Sequence, residues 1–269
     1  MLAKHPAISV SARPDDYASM AALPAPPTRL PGDRSWALFL DLDGTVCAYR
    51  DDPAQVALDP AQHALLTRLS TLLDGALCIV SGRSSADLER ILGALPLWRV
   101  GEHGSRADEL RDNAFQAQLV AAEMALHKLS AEEPGTWVER KPSSCALHYR
   151  HARDRADCLR KALLPLGHTL DQMRLLDGHL VFEFTTRFSD KGSALWRLMQ
   201  RAPFTGRIPV AVGDDVTDED MFTAASALGG FAVAVGPRIS AAAAFQLADA
   251  RAVDRWLRQL AEGEPYALA

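Results

Sequence analysis

Four short clusters of residues in this 269-residue chain carry side chains that could do chemistry together. The first is Asp41-Leu42-Asp43-Gly44-Thr45, directly after the apolar run Trp36–Leu40. Residues two apart in extended chain point the same way. Asp41 and Asp43 therefore sit close and repel unless a cation or a proton intervenes. They also read as solvated turn acids before Gly44, because Asp-Gly is a common turn. A turn alone does not explain carboxylates that emerge straight from a fully apolar strand. The second cluster is Gly213-Asp214-Asp215-Val216-Thr217-Asp218, again directly after an apolar run. Thr217 with Asp220 reads as a capping box, and Asp218, Glu219 and Asp220 favour a helix N-terminus. Asp214 and Asp215 precede that cap and are not explained by it. Two acidic pairs on two neighbouring strands imply a hard divalent cation with oxygen ligands, magnesium above all. The third cluster, Ser81-Gly82-Arg83, offers a hydroxyl, a glycine and a helix start capped by Ser84 and Asp87, which suits an oxyanion or phosphate. The fourth is Asp190-Lys191-Gly192-Ser193, which opens a helix. A lysine there opposes the helix dipole, and an anion at that spot reverses the penalty. Alone, it reads as an ordinary exposed lysine. Together the four describe phosphoryl transfer: one carboxylate attacks phosphorus, magnesium and a lysine neutralise oxygen charge, and a second carboxylate moves the proton.

These residues need a scaffold that brings them to one place. Trp36–Leu40, Ala76–Val80, Trp98–Val100, Ile208–Val212 and Phe231–Val235 are short continuous apolar runs, which suit strands buried on both faces. Helical segments around Pro60–Leu73, Leu88–Leu95 and Ala194–Met199 alternate with them. That alternation predicts an α/β fold, a Rossmann-like doubly wound parallel sheet. Three of the clusters then lie at carboxyl ends of parallel strands, where open α/β sheets bind ligands. The middle of the chain is patterned differently. A helix around Asn113–Leu129 precedes strands Trp137–Lys141 and Cys145–Arg150; a helix around Arg155–Leu164 precedes Met173–Leu176 and Leu180–Phe184, joined across Asp177-Gly178-His179. Asp-Gly between apolar runs is a hairpin signal. Two strand pairs flanking a helix predict a small α+β domain inserted over 106–187 as a cap. The core is then split into 34–105 and 188–269. Residues 1–33, rich in Ala, Pro and Ser, read as a disordered N-terminal tail.

Composition narrows the function classes. With 34 acidic and 29 basic side chains the net charge is −5, which argues against nucleic acid as the main partner. A hydrophobic fraction of 48% and a charged fraction of 23% exclude a wholly disordered chain, a coiled coil and a collagen-like fibre. Cys47, Cys78, Cys145 and Cys158 have no C-x-x-C spacing and read as buried reduced thiols. No signal peptide and no apolar stretch of 18 or more residues is visible, so the expectation is a cytoplasmic, monomeric protein with no membrane partner.

The order Asp-x-Asp-Gly-Thr, Ser-Gly-Arg, Lys, Gly-Asp-Asp-x-x-Asp resembles the four-part pattern of the haloacid dehalogenase (HAD) superfamily, and the inserted domain resembles its capped members that act on sugar phosphates. Four further segments are similar to the trehalose-6-phosphate phosphatase family within it: Gly101-Glu102-His103-Gly104, Glu139-Arg140-Lys141, Ala146-Leu147-His148-Tyr149-Arg150, and Ala202–Arg207 running on to Glu219. The resemblance covers about 35–260. Pro142 stands where bacterial members commonly have glycine, and Glu183-Phe184-Thr185 where they often have Glu-x-Lys; both lie in the cap and bear on sugar specificity.

The resemblance implies Asp41 as nucleophile and Asp43 as acid and then base. It implies magnesium held by Asp41, the Asp43 carbonyl and Asp214, with Thr45, Asp215 and Asp218 supporting. Ser81 and Lys191 would contact phosphoryl oxygens. Substrate contacts would fall at Asp41, Leu42, Asp43, Gly82, Arg83 and Glu102, and in the cap at Glu139, Lys141 and Glu183. The implied reaction is hydrolysis of trehalose 6-phosphate. Spacing alone leaves the cap charges open, since alternate polar residues are normal on a half-exposed strand. His148 reads as support for a neighbouring strand, and Trp137 and Tyr149 as packing. A phosphatase for sucrose phosphate or mannosyl-3-phosphoglycerate, a sugar phosphomutase, and a non-catalytic sensor are the competing readings. The complete set Asp41, Asp43, Lys191 and Asp214 argues against the sensor, which has no need of a nucleophile.

Overall fold

The computed structural model describes residues 8–9, 23–28, 36–50, 52–105, 112–178, 180–187, 190–238 and 240–262. Its strands are β1 (Ile8–Ser9), β2 (Trp36–Leu40), β3 (Leu77–Val80), β4 (Trp98–Val100), β5 (Trp137–Arg140), β6 (Ser144–His148), β7 (Met173–Gly178), β8 (Val181–Thr186), β9 (Ile208–Gly213), β10 (Phe231–Val235) and β11 (Phe245–Leu247). Its helices are α1 (Pro60–Leu72), α2 (Ser85–Leu92), α3 (Asn113–Glu132), α4 (Ala156–Thr169), α5 (Lys191–Met199), α6 (Glu219–Ala227) and α7 (Ala250–Glu262). The backbone divides into two compact units, one of residues 1–13 and 105–190, the other of 14–104 and 191–269.

The second unit is built on a six-stranded parallel sheet in the order β11-β10-β9-β2-β3-β4. Every residue of β2 and β3 is buried, as expected of strands covered on both faces. Side chains of α1, α2, α5, α6 and α7 join the strand side chains in one core, where Phe39 stacks on Phe204 at 5.3 Å between ring centroids. Local rules place the helix starts. Asp59 and Gln62 form a reciprocal capping box ahead of Pro60, and Ser84 accepts the Asp87 N–H to open α2. From β2 the chain moves outward through β3 and β4, then returns to the other side of β2 with β9. The order of connection therefore reverses between β2 and β9, and a crevice opens at their carboxyl ends.

The inserted unit holds a single five-stranded sheet, β1-β7-β8-β6-β5, antiparallel except for β1 beside β7. The two strand pairs predicted there are thus one sheet. They join through β6 and β8, where Ser144 faces Thr185 and Ala146 faces Glu183. Pairing at that seam satisfies two edges that separate hairpins would leave open. One face carries Cys145, Leu147, Met173, Leu175, Phe182 and Phe184 and packs on α3 and α4. By the two-residue period, the opposite face carries Glu139, Ser144, His148, Glu183 and Thr185. His179 of the predicted hairpin turn lies outside the described residues.

Within residues 1–33, the described segments 8–9 and 23–28 make defined contacts. The backbone of Ile8 and Ser9 pairs with β7. Leu23 packs on the core of the parallel-sheet unit, the Gln246 N–H donates to the Pro24 carbonyl at 3.0 Å, and the Trp256 indole donates to the Pro27 carbonyl at 3.0 Å. Proline-rich chain has no helix or sheet of its own, yet its carbonyls remain good acceptors. Three thiols are buried, but Cys158 is exposed. Burial pushes Cys47 and Cys145 up to about 12, which leaves them unreactive near neutrality. No helix among the described residues is long and apolar enough to cross a membrane.

Candidate active site

Asp41 follows the last residue of β2, and Asp214 follows the last residue of β9. Because β2 and β9 are neighbours, with Leu40 beside Val212, the two acids face one crevice. Gly44 makes the loop after β2 possible. Its φ is +86°, and a Cβ there would lie 2.2 Å from Asp214 Oδ2. Gly213 is needed for a similar reason, since a Cβ there would lie 2.2 Å from Asp218 Cγ. Lys191 is the first residue of α5, and its Nζ donates to Asp41 Oδ1 and to Asp218 Oδ1, each at 2.6 Å. All three groups are at most 5% exposed. The lysine expected to meet phosphoryl oxygens thus lies between two carboxylates here, and these offset its unfavourable place at a helix N-terminus.

The acids crowd one another. Single oxygens of Asp41, Asp214 and Asp218 lie within 4.8 Å of each other. Burial pushes Asp41 above the usual carboxylate range, Lys191 opposes the shift, and Asp218 adds to it. Asp214 is pushed up by burial and then by Asp41, Asp218 and Asp215. Burial works against the Lys191 charge, and Asp218 and Asp41 more than offset it. One ammonium therefore does not neutralise this cluster, and a hard, oxygen-seeking divalent cation fits the donor set. Asp218 is the least available ligand. Its Oδ2 accepts the backbone N–H groups of Asp214 at 2.9 Å and Asp215 at 3.0 Å, while its Oδ1 is held by Lys191. The predicted Thr217–Asp220 capping box gives way to one between Asp215 and Asp218. The chain turns through a short 3-10 segment before α6, so the cap falls two residues earlier.

Arg83 is not aimed at open solvent. Its Nε donates to Asp43 Oδ2 at 2.6 Å and its Nη2 to Asp43 Oδ1 at 2.7 Å, a fork that matches a carboxylate. It also pairs with Asp87 and donates to the Pro53 carbonyl. Burial opposes the guanidinium charge, and the hydrogen bonds and charges of Asp43 and Asp87 more than offset it. Ser81 Oγ accepts the Arg83 N–H at 3.1 Å, which leaves the hydroxyl proton for another acceptor. The Leu42 side chain is fully buried in the core, so any ligand contact at Leu42 is by backbone only. Glu102 is buried in a turn with φ +54°. That turn is tied down by Glu102 N–H to the Arg83 carbonyl at 2.9 Å and His103 N–H to the Ser81 carbonyl at 3.1 Å. Gly82 has no room for a Cβ, which would meet the His103 ring at 2.3 Å. Thr45 is buried with Oγ1 3.4 Å from Asp214 Oδ1. Tyr49, which sequence reasoning did not single out, donates its hydroxyl to Asp214 Oδ2 at 2.8 Å.

In the inserted unit, the charged residues pair among themselves. Glu183 Oε1 accepts from Ser144 Oγ at 2.5 Å and from Lys141 Nζ at 3.3 Å. His148 Nε2 meets Glu139 Oε2 at 2.8 Å, and its ring stacks on Trp137 at 4.7 Å between centroids. Hydrogen bonding to His148 outweighs burial and, with Lys141, holds the Glu139 carboxyl below its ordinary range. His148 thus supports Glu139 directly, which spacing alone could not reveal.

A parallel sheet with an acidic, lysine-bridged crevice at its switch point, plus an inserted sheet, defines the haloacid dehalogenase class of phosphohydrolases. The C-terminal domain of a C. albicans trehalose-6-phosphate phosphatase shares the fold, with a TM-score of 0.77 and 24% identity over 90% of this chain and 100% of that one. The trehalose-phosphatase family model matches residues 39–243. The chain belongs to that family. It is 34% identical over 230 residues to the trehalose-6-phosphate phosphatase of Escherichia coli K12, covering 84% of this chain and 86% of the relative. A probable trehalose-phosphate phosphatase of Sinorhizobium fredii is 34% identical over 222 residues, covering 78% and 81%.

Proposed function

We propose that this protein hydrolyses trehalose 6-phosphate to trehalose and phosphate, with magnesium, as a cytoplasmic monomer. The observation that carries this reading is the Lys191 bridge between Asp41 and Asp218 beside Asp214 at the strand ends. Asp41 is the nucleophile. Its carboxylate oxygen forms a bond to phosphorus as the bond from phosphorus to the sugar oxygen breaks, leaving an aspartyl-phosphate. Asp43 gives the departing sugar oxygen its proton, then takes a proton from the water that hydrolyses the aspartyl-phosphate. The bidentate fork of Arg83 holds both Asp43 oxygens. For the first half, Asp43 must hold a proton on one oxygen, so Arg83 must release that oxygen.

Asp41, the Asp43 carbonyl and Asp214 would hold the cation, which when bound offsets their charge and that of the phosphoryl oxygens. Lys191 holds the Asp41 oxygen that does not attack, and Asp218 holds Lys191 in place. The Ser81 hydroxyl and the backbone at Leu42 and Gly82 contact phosphoryl oxygens. Glu139, Lys141 and Glu183 read the sugar hydroxyls, because charged groups bond well to a polyhydroxyl ligand; Glu102 adds a contact. The 106–187 insertion acts as the cap.

The test is phosphate release from a panel of sugar phosphates, with magnesium and with chelator. Trehalose 6-phosphate should be hydrolysed well above glucose 6-phosphate and sucrose 6-phosphate, and chelation should stop all release reversibly. Equal rates on unrelated sugars would overturn the substrate assignment. Conversion to an isomeric sugar phosphate with little free phosphate would point to a mutase.

A further inference from the structure

Asp214 is the ligand with the least obvious means of holding its orientation. It lies one residue beyond β9, and two of its neighbours come from a different segment, the loop after β2. Thr45 Oγ1 is at the edge of hydrogen-bond range from Oδ1, at 3.4 Å. Tyr49 makes a well-formed bond to Oδ2, at 2.8 Å. The loop is shaped around this contact. A Cβ on Gly44 would lie 2.2 Å from Asp214 Oδ2 and 2.6 Å from Tyr49 Cε2, so the carboxylate and the phenol ring both close over the one residue without a side chain. The phenol is a neutral donor, and it orients the carboxylate without adding a second cation to a cluster that already holds Lys191.

We propose that Tyr49 is a positioning residue for the divalent cation. Its hydroxyl holds Asp214 Oδ2 so that Oδ1 is presented to the metal. A carboxylate that binds a cation through one oxygen is set in direction by the hydrogen bond at the other. This inference rests on the reading of Asp41 and Asp214 as cation ligands.

The test is magnesium binding by calorimetry to substrate-free wild-type protein and to Tyr49→Phe, which keeps the ring and removes only the hydroxyl. The expected result is a Kd for magnesium about tenfold weaker in Tyr49→Phe, in the usual range for loss of a ligand's orienting partner. Initial rates should show the matching split: the magnesium concentration for half-maximal rate rises about tenfold, and excess magnesium restores the rate. The wild type should also give a near-ultraviolet tyrosine difference signal that saturates with the calorimetric Kd. The chain has four tyrosines, and Tyr49→Phe should lose that signal. This readout on the wild type holds even if the variant folds poorly. Equal or tighter magnesium binding by well-folded Tyr49→Phe overturns the positioning role, as does a difference signal that survives the substitution. Failure of the wild type to bind magnesium overturns the cation reading itself, and Tyr49 with it.

Discussion

The acidic crevice of the parallel sheet and the polar face of the inserted sheet are both rich in charge, and they handle it in opposite ways. In the crevice, Asp41, Asp214, Asp215 and Asp218 outnumber Lys191, and burial drives Asp41, Asp214 and Asp215 upward in pKa. On the inserted sheet each carboxylate has a basic partner: Glu183 pairs with Lys141, and Glu139 shares a hydrogen bond with the His148 ring. An unbalanced buried cluster is costly to keep without a further positive group, which fits the cation and phosphoryl site of the proposed function. A balanced set of pairs is stable by itself and can exchange partners with hydroxyl groups. Under the proposed function, chemistry falls to the first region and sugar discrimination to the second.

Substitutions in each region can break or sharpen that contrast. The largest effect is expected from Asp41→Asn, which should lower kcat/KM by at least roughly four orders of magnitude on every phosphate ester, since the nucleophile is gone. Residual turnover near wild type would end the covalent mechanism. Next is Lys191→Ala. It leaves Asp41 and Asp218 buried without their shared partner, and should destabilise the metal-free protein by about 3–5 kcal/mol. Urea unfolding with chelator present measures this, and an unchanged midpoint would show that the cluster is not held by the lysine. Arg83→Gln should cost about tenfold to a hundredfold in kcat, part of the roughly 10²–10⁴ that an acid–base group supplies, because Asp43 loses its orienting fork. Single-turnover and steady-state rates measure this, and a kcat equal to wild type would place Arg83 outside the proton transfer. The smallest effect is expected from Glu183→Gln. It should raise KM for trehalose 6-phosphate about tenfold and leave hydrolysis of a small aryl phosphate nearly untouched. Equal losses on both substrates would erase the division between the two regions.

Much of the scaffold is legible along the chain because its causes are local. Trp36–Leu40 and Phe231–Val235 are continuous apolar runs, and burial on both faces leaves no other pattern for a strand. Ser84 with Asp87 and Asp59 with Gln62 start helices through hydrogen bonds that span three residues. Elements supported by distant contacts are less legible. β11 is three half-buried residues whose only strand partner among the described residues is β10. The proline-rich segment at 23–28 is ordered by acceptor carbonyls that meet donors more than 200 residues away, at Gln246 and Trp256.

The candidate site divides along the same line. The chain by itself determined that Asp41, Asp43, Asp214 and Lys191 are present in a telling order, each at the end of a strand or the start of a helix, because these are matters of composition and short-range geometry. Only the tertiary structure decided which of them meet. The Lys191–Asp41 contact spans 150 residues and the Tyr49–Asp214 contact 165, and both exist because β9 inserts beside β2 and because Gly44 turns with positive φ. The fork of Arg83 on Asp43, the support of Glu139 by His148 and the merging of two strand pairs into one sheet were decided at the same level. Periodicity records which face of an element is buried; sheet order and loop conformation, which depend on the whole chain packing at once, set what lies opposite it.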